Sequence, residues 1–356
     1  MLSEWKNKMM FTGQKFKHRK LVVGVGSALV DILARENDDF LQKTGAIKGG
    51  MKYVDKEFIE LTMSLASKKP TMVPGGSACN TVIGIGKLGG HARFVGKRGK
   101  GKIGGFFETN LRKNNVQPVL FTSSSFTGRV LSIITNDAQR SMFTFLGASS
   151  ETQPQEITKK CFENAAIVHI EGYLLFNEDL ILAALNAAKE AGALVSLDLA
   201  SFTVVEESKV LLKKIVKDFV DILLANEDEA LAFTGYSNEI KAAAALSENT
   251  HIAALKVGER GSYIAHGDKI IKVEPMATGT AVDTTGAGDL WASGFLFGLV
   301  NGYSLEQCGK LGSACGYEVC QVVGANIPEQ GWQRIKKYWR NHGEKKGVPI
   351  SEKRPE

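Results

Sequence analysis

The heptapeptide Asp283-Thr-Thr-Gly-Ala-Gly-Asp289 sets two carboxylates on either side of a glycine-rich turn, immediately ahead of the apolar residues 290–300. The pattern predicts extended residues ending at Asp283 and a helix beginning near Gly286. A helix start leaves backbone N–H groups unpaired at the positive end of the dipole, and glycine lets an anion come close to them. Gly286, Ala287 and Gly288 would present such amides, with Asp289 in the first turn. A carboxylate there repels a phosphate, so it is a poor phosphate ligand. It suits a base that acts on a hydroxyl attacking a phosphoryl group held just outside the helix. The plainer alternative is a core helix with a dipole-stabilising Asp in its first turn.

Other chemistry-bearing residues lie upstream. Asp31 is the one charge in the apolar stretch 21–33, where a carboxylate needs hydrogen-bonding partners; sugar hydroxyls or an exposed strand edge would satisfy it. Pro74-Gly-Gly-Ser-Ala-Cys-Asn80 permits close backbone approach at Gly75 and Gly76 and offers the Asn80 amide to a polyol; it also reads as an ordinary turn and helix cap. Asn226-Glu-Asp-Glu229 forms a capping box by pattern, yet its three carboxylates also suit magnesium held through water. Two tempting motifs fail. Gly24-Val-Gly26 lacks the third glycine of a dinucleotide fingerprint, because Leu29 stands there; in Gly96-Lys-Arg-Gly-Lys-Gly-Lys-Ile103, Ile103 replaces the hydroxyl residue of a phosphate loop.

The ordered set Asp31, Gly75-Gly76…Asn80, Asn226…Glu229 and Asp283…Asp289 resembles the ribokinase/PfkB family of sugar and nucleoside kinases, over residues 21–328. The resemblance implies a three-layer α/β sandwich with a mostly parallel sheet and a small antiparallel β lid. It also implies ATP, magnesium and potassium as cofactors. Asp289 would be the base, and Gly286, Ala287 and Gly288 the anion hole. Asp31, Gly75, Gly76, Asn80 and Glu171 would hold the acceptor. Asn226, Lys256, Gly258 and Gly261 would border the nucleotide, together with Gly286 and Gly288. Glu229 would organise magnesium through water, and Asp283, beside the loop Val323-Gly-Ala-Asn326, would help hold a monovalent cation. The motif details look more like the adenosine-kinase-like branch than like ribokinase proper. A free-sugar kinase of ribose or fructose type, or a non-catalytic ligand-binding member, are the alternatives. Lys100 departs from the family's usual acidic residue and makes the turn at 97–102 unusually basic.

These residues need elements to position them. Residues 21–33 read as a buried strand followed by a loop or second strand, and 57–68 as an amphipathic helix with Phe58, Leu61 and Leu65 on one face. Short β patterns at 45–56 and 119–146 predict a small antiparallel sheet, with a turn at Asn136-Asp-Ala-Gln, acting as a lid or a dimer clasp. Phe143 and Phe145 alternate onto one of its faces, where they cover a base or sugar ring or pack within the lid. From residue 160, strands at 165–170, 194–199, 222–225 and 252–257 alternate with helices at 177–191 and 206–218 and from 227; a hairpin at 261–273 follows. Such alternation predicts a parallel sheet with ligands at the strand C-terminal ends, which singles out Glu171, Asp198, Asn226 and Lys256.

Bulk properties bound the rest. The organisation expected for 356 residues is a basic tail at 1–20, one kinase domain at 21–330 with its lid at about 43–56 and 117–148, and a basic segment at 331–356. The net charge of +6 resides at the ends: six basic residues against one acidic in 1–20, and eight against three in 331–356, leave the middle mildly acidic. That distribution argues against nucleic acid bound by the core. Cys79, Cys161, Cys308, Cys315 and Cys320 lie in apolar contexts without a CxxC pair, and no apolar run reaches membrane-spanning length. The expectation is a cytoplasmic enzyme with a small-molecule partner, no nucleic-acid or membrane partner, and a monomer or a homodimer through the lid.

Overall fold

The computed structural model describes residues 19–342 except 49, 136–138 and 278; most of both basic ends, and the turn at Asn136-Asp-Ala, lie outside the described residues. The chain opens with β1 (Leu21–Val25), β2 (Leu29–Arg35), α1 (Asp38–Thr44), β3 (Met51–Tyr53), α2 (Lys56–Ser64) and β4 (Thr71–Gly75). It continues through α3 (Ser77–Lys87), β5 (Ala92–Gly99), α4 (Lys102–Lys113), β6 (Val116–Ser123), β7 (Thr127–Ile134) and β8 (Arg140–Gly147). Next come β9 (Ala165–Glu171), α5 (Glu178–Glu190), β10 (Leu194–Asp198), α6 (Phe202–Glu207), α7 (Lys209–Phe219), β11 (Ile222–Asn226) and α8 (Glu227–Thr234). The last stretch holds α9 (Glu239–Ser247), β12 (Ile252–Lys256), β13 (Ser262–His266), β14 (Lys269–Val273), α10 (Ala287–Val300), α11 (Leu305–Cys320) and α12 (Glu329–His342).

Nine strands form the main sheet in the order β14-β13-β12-β11-β10-β9-β1-β5-β6. Every pairing from β6 to β12 is parallel, and β13 and β14 close one edge antiparallel. Side-chain alternation divides each buried strand between two cores. Val22, Ile167, Leu224 and Ala254 join one cluster with Ile85, Leu290 and Leu311, from α3, α10 and α11. Val23, Val168, Leu223 and Ala253 join the other with Ile181, Leu212 and Ala242, from α5, α7 and α9. The expected three-layer sandwich follows from that parity. The order reverses between β9 and β1, so the crevice at their C-terminal ends is where a doubly wound sheet accepts ligands. Residues 290–300 of α10 are all buried, which explains why this helix is apolar on every side.

The smaller sheet differs from the expected lid. Its order is β3-β8-β7-β2-β4, so it recruits β2 and β4, while β6 belongs to the main sheet. It is mixed, because β2 pairs parallel with β7 and β3 parallel with β8, whereas β2/β4 and β7/β8 are antiparallel. The cause is topological: β2 follows β1 after a three-residue loop and turns out of the main sheet, carrying Asp31 with it.

Three further expectations change. Helix α2 buries Ile59 and Thr62 while Leu61 and Leu65 are exposed, since its contact stripe is set by Phe58 packing on Phe143 at 4.7 Å between ring centroids. The helix expected over 206–218 is two helices, α6 and α7, divided at Ser208. Residues 281–283 form no strand; instead the Val282 amide donates to the Cys320 carbonyl at 2.8 Å. All five cysteines are free thiols, four of them buried. No helix among the described residues is long and apolar enough to cross a membrane.

Candidate active site

The turn ahead of α10 is built around Gly286, the helix cap, whose φ of +72° favours glycine. A Cβ there would lie 2.5 Å from the Ala325 Cβ, so the close approach of 324–325 demands the same residue. The Ala287 amide donates to the Thr284 carbonyl at 3.1 Å, which narrows the predicted anion hole. Those of Gly286 and Gly288 have no acceptor in the described chain, as is common for helix-start amides.

Asp289 stands in the first turn of α10, partly buried. Ser77 Oγ donates to its Oδ1 at 2.7 Å and Asn80 Nδ2 to its Oδ2 at 2.9 Å, while Thr81 Oγ1 donates to its backbone carbonyl at 3.1 Å. Burial raises the Asp289 pKa and outweighs the two side-chain donors that hold it down. Ser77 was legible only as a helix cap. The cap is in fact Gly76, at φ +96° and so close to the Ser27 carbonyl that a Cβ would lie 2.3 Å from it; the Ser77 hydroxyl is thereby free for Asp289. Asn80 lines the cleft as expected, but its amide is committed to Asp289.

Asp31 projects from β2 into the cleft, 5% exposed, and no described side chain or amide donates to it. Burial lifts its pKa to about 6, with Arg140 opposing and Asp289 and Asp283 adding to the rise. Gly75 does not line the cleft; a Cβ on it would sit 2.5 Å from the Asp31 carboxylate, so its part is to make room. Glu171, at the end of β9, accepts from the Ser27 amide at 2.8 Å and the Ala78 amide at 3.1 Å. It therefore staples the β1–β2 turn to the start of α3 at the switch point. Burial pushes its pKa to about 7 in spite of those two donors.

Arg140, at the start of β8, is the cleft residue that sequence reasoning missed. Its Nε and Nη2 donate to Ser132 Oγ at 2.9 and 2.7 Å, and its Nη1 donates to Thr285 Oγ1 in the glycine turn. One guanidinium thus ties the small sheet to the anion turn. Strand parity was the available signal: Arg140, Met142, Thr144 and Leu146 face the cleft. Phe143 is buried against Phe58 and Phe145 packs on the same core, so packing rather than ligand cover explains the two phenylalanines.

Where β11 ends and α8 begins, Asn226 and Glu229 satisfy each other. The Asn226 amide and Nδ2 each donate to Glu229 at 2.8 Å, and the Glu229 amide returns a bond to Asn226 Oδ1 at 2.9 Å, a complete capping box. Burial raises the Glu229 pKa. Lys256 ends β12 with its Nζ 2.8 Å from Asp198 Oδ2, and Gly258 and Gly261 line the cleft beyond it. Asp283 lies outside the cleft lining; its Oδ1 accepts from the Thr285 amide and hydroxyl at 2.9 and 2.7 Å, and its Oδ2 from the Gly324 amide at 2.8 Å. In the basic turn, Lys97 pairs with Glu156 at 2.7 Å and Arg98 with Glu108 at 2.5 Å, so both build the fold, while Lys100 is exposed.

The cleft that joins these groups measures about 1560 Å³. That exceeds the ~300–1,000 Å³ of a pocket for one small molecule, leaving room for two ligands end to end. Met51, Tyr53, Tyr173 and Phe176 add apolar surface to the cleft lining, and Ser313, Gly316 and Tyr317 add small and polar surface.

Comparison with known proteins identifies the fold and the family. The solved structure of an adenosine kinase from Sinorhizobium meliloti superposes with a TM-score of 0.81 at 32% identity, over 90% of this chain and 99% of that one. A nucleoside kinase of Methanocaldococcus jannaschii is 28% identical over 81% of this chain and 92% of its own length. Probable fructokinase-5 of Arabidopsis thaliana is 30% identical over 72% of this chain and 84% of its own. The family profile described as pfkB family carbohydrate kinase matches residues 50–331, and the chain therefore belongs to that family, as an ATP-dependent kinase of sugar or nucleoside alcohols.

Proposed function

We propose that the protein transfers the γ-phosphoryl group of ATP to a primary alcohol of a ribonucleoside resembling adenosine, with Asp289 as the base. The observation that carries this reading is the placement of Asp289: hydrogen-bonded to Ser77 and Asn80, it shares one cleft with the unpartnered Asp31 carboxylate and the free amides of Gly286 and Gly288. Asp31 binds acceptor hydroxyls, which supply the donors it lacks. The acceptor oxygen bonds to the γ-phosphorus as the bond to the β–γ bridging oxygen breaks. That electron pair leaves with ADP, and the hydroxyl proton passes to Asp289 late in the step. The amides of Gly286 and Gly288, and Arg140 from the small sheet, meet the charge on the transferring group. Asn226, Lys256, Gly258 and Gly261 border the nucleotide.

Among the described residues no three His, Cys, Asp or Glu side chains converge as a metal cage. Magnesium would be held by the nucleotide phosphates and water, with the Glu229 carboxylate in the cleft lining orienting such waters. Magnesium would neutralise phosphate charge there. Asp283 organises the turn through Thr285 and Gly324, and dependence of the rate on added potassium tests whether a monovalent cation assists it.

Support for a nucleoside comes from the apolar and aromatic side chains of Met51, Tyr53, Tyr173 and Phe176 in the cleft lining, which suit a base. The similarity to fructokinases favours a free sugar instead. ADP release with ATP and magnesium, across adenosine, inosine, guanosine, ribose and fructose, decides between them. Turnover confined to sugars would overturn the nucleoside assignment; ATP binding without turnover of any alcohol would overturn the kinase mechanism.

A further inference from the structure

Lys256 is a charged side chain only 12% exposed, held at the C-terminal end of β12 against an aspartate that is itself buried. Buried ion pairs seldom repay the cost of desolvating both partners, so stability alone is a weak reason for this one. Its geometry suggests another. Asp198 accepts Lys256 Nζ at 2.8 Å through Oδ2 and the Ala200 amide at 3.0 Å through Oδ1. Ala200 adopts φ +65°, left-handed backbone that a non-glycine residue rarely takes, so the carboxylate is fixed by a strained turn. Among the described residues, Asp198 is the one acceptor within hydrogen-bond reach of the ammonium, which leaves two of its three N–H donors unused. The ammonium also lies against the anion turn: a Cβ added at Gly288 would meet Nζ at 3.1 Å before any other atom. A second cation thus stands beside the free Gly288 amide, while Arg140 reaches the same turn through Thr285.

We propose that Lys256 is a catalytic residue, whose ammonium, tethered by Asp198 beside Gly288, binds the phosphate oxygens around the bond that breaks between the β- and γ-phosphates. This deepens the kinase reading above and rests on it. In the loose transition state of phosphoryl transfer, charge moves from the γ-phosphoryl group toward the leaving bridge oxygen. A fixed ammonium at the floor of the cleft meets that charge where water is excluded, and needs no reorganisation because Asp198 already holds it in place. Burial by itself would drive the proton off Lys256, but the carboxylates of Asp198 and Glu229 outweigh it and keep the group charged. The glycine at 288 fits the same contact, because a Cβ there would crowd the ammonium at 3.1 Å.

The test compares wild type with Lys256→Met, and with Asp198→Asn/Lys256→Met, which removes both buried charges so that no carboxylate is left unpaired. kcat and KM are measured for ATP and the best acceptor, and affinities for ATP and AMP by calorimetry. Both variants should lose ~100-fold or more in kcat, the scale of removing one fixed donor from a reacting oxyanion. Acceptor KM should move less than about threefold, and affinity should fall for ATP while AMP binding is kept. The proposal is overturned if either variant keeps kcat within about fivefold of wild type, or if ATP and AMP weaken equally. Should wild type turn over no alcohol at all, the kinase reading fails; the ratio of ATP to AMP affinity, unchanged on removing Lys256, would then refute the lysine's role separately.

Discussion

Replacing Asp289 by asparagine preserves the size of the side chain and removes the charge on which the proposed proton transfer depends. The carboxylate now accepts from Ser77 at 2.7 Å and from Asn80 at 2.9 Å. An asparagine keeps one acceptor oxygen. If its NH2 faces Ser77, the hydroxyl can turn and accept, and the contact with Asn80 survives; in the reverse orientation two NH2 groups confront each other until Asn80 flips. The structural cost is therefore at most one hydrogen bond to a charged group, ~1.5–3 kcal/mol of stability. The chemical cost is larger. A positioned base contributes ~100- to 10,000-fold, which at ~1.36 kcal/mol per tenfold is about 2.7–5.4 kcal/mol of barrier. The nucleotide contacts proposed for Asn226, Gly258 and Gly261 involve other cleft-lining residues, so the ATP Kd should change by less than about threefold. ADP release measured with the best acceptor gives kcat, and calorimetry gives the ATP affinity. A variant within about tenfold of wild-type kcat would refute the role of Asp289 as base; ATP affinity falling in step with kcat would show that the residue supports binding instead.

Asn80→Leu removes a donor that favours the charged form of Asp289, so the carboxylate should titrate at higher pH and the acid limb of the kcat profile should move up; an unmoved limb would contradict the hydrogen bond's effect. Glu171 is raised from 4.5 to about 7 in the folded protein, so its contribution to stability is fully present below about pH 4.5 and is lost as pH rises through about 7. Thermal melts at about pH 5 and about pH 8 should show a smaller fall in Tm for Glu171→Gln than for wild type, and equal falls would oppose the assignment. For Gly286→Ala, the left-handed backbone costs ~1–2 kcal/mol before the clash with Ala325 is counted. Loss of turnover with only a modest drop in Tm is expected, and full activity would show that the turn tolerates displacement. Arg140→Leu breaks the tie to Ser132 and Thr285, and should lower kcat by roughly 100-fold while nucleotide affinity is nearly retained; retained turnover would remove Arg140 from the phosphoryl site.

Local pattern carried much of the fold. Alternating apolar strands and helices from residue 160 onward, and the capping box at Asn226, are written in short stretches of chain, because hydrogen bonding at helix ends is settled within a few residues. The lid was less legible. Whether β2 stays in the main sheet or leaves it depends on which partner strand is available, and β7 lies about a hundred residues downstream. Which face of β8 meets the ligand was equally open, since period-2 alternation defines two faces without saying which is inside.

The site divides along the same line. Sequence alone determined the residue types that chemistry requires: the glycine turn before Asp289, the isolated Asp31, and the carboxylate and lysine at strand ends, each recognisable because its neighbours supply the context. Tertiary structure decided what those groups touch. Only folding brings Ser77 and Asn80 to Asp289 across more than two hundred residues, commits Glu171 to backbone amides, turns Asn226 and Glu229 inward on each other, and brings Arg140 and Lys256 to one glycine turn. The physical reason is that hydrogen bonds and Coulomb forces act over a few ångströms of space, whereas sequence spacing fixes distance only within a single helix or strand.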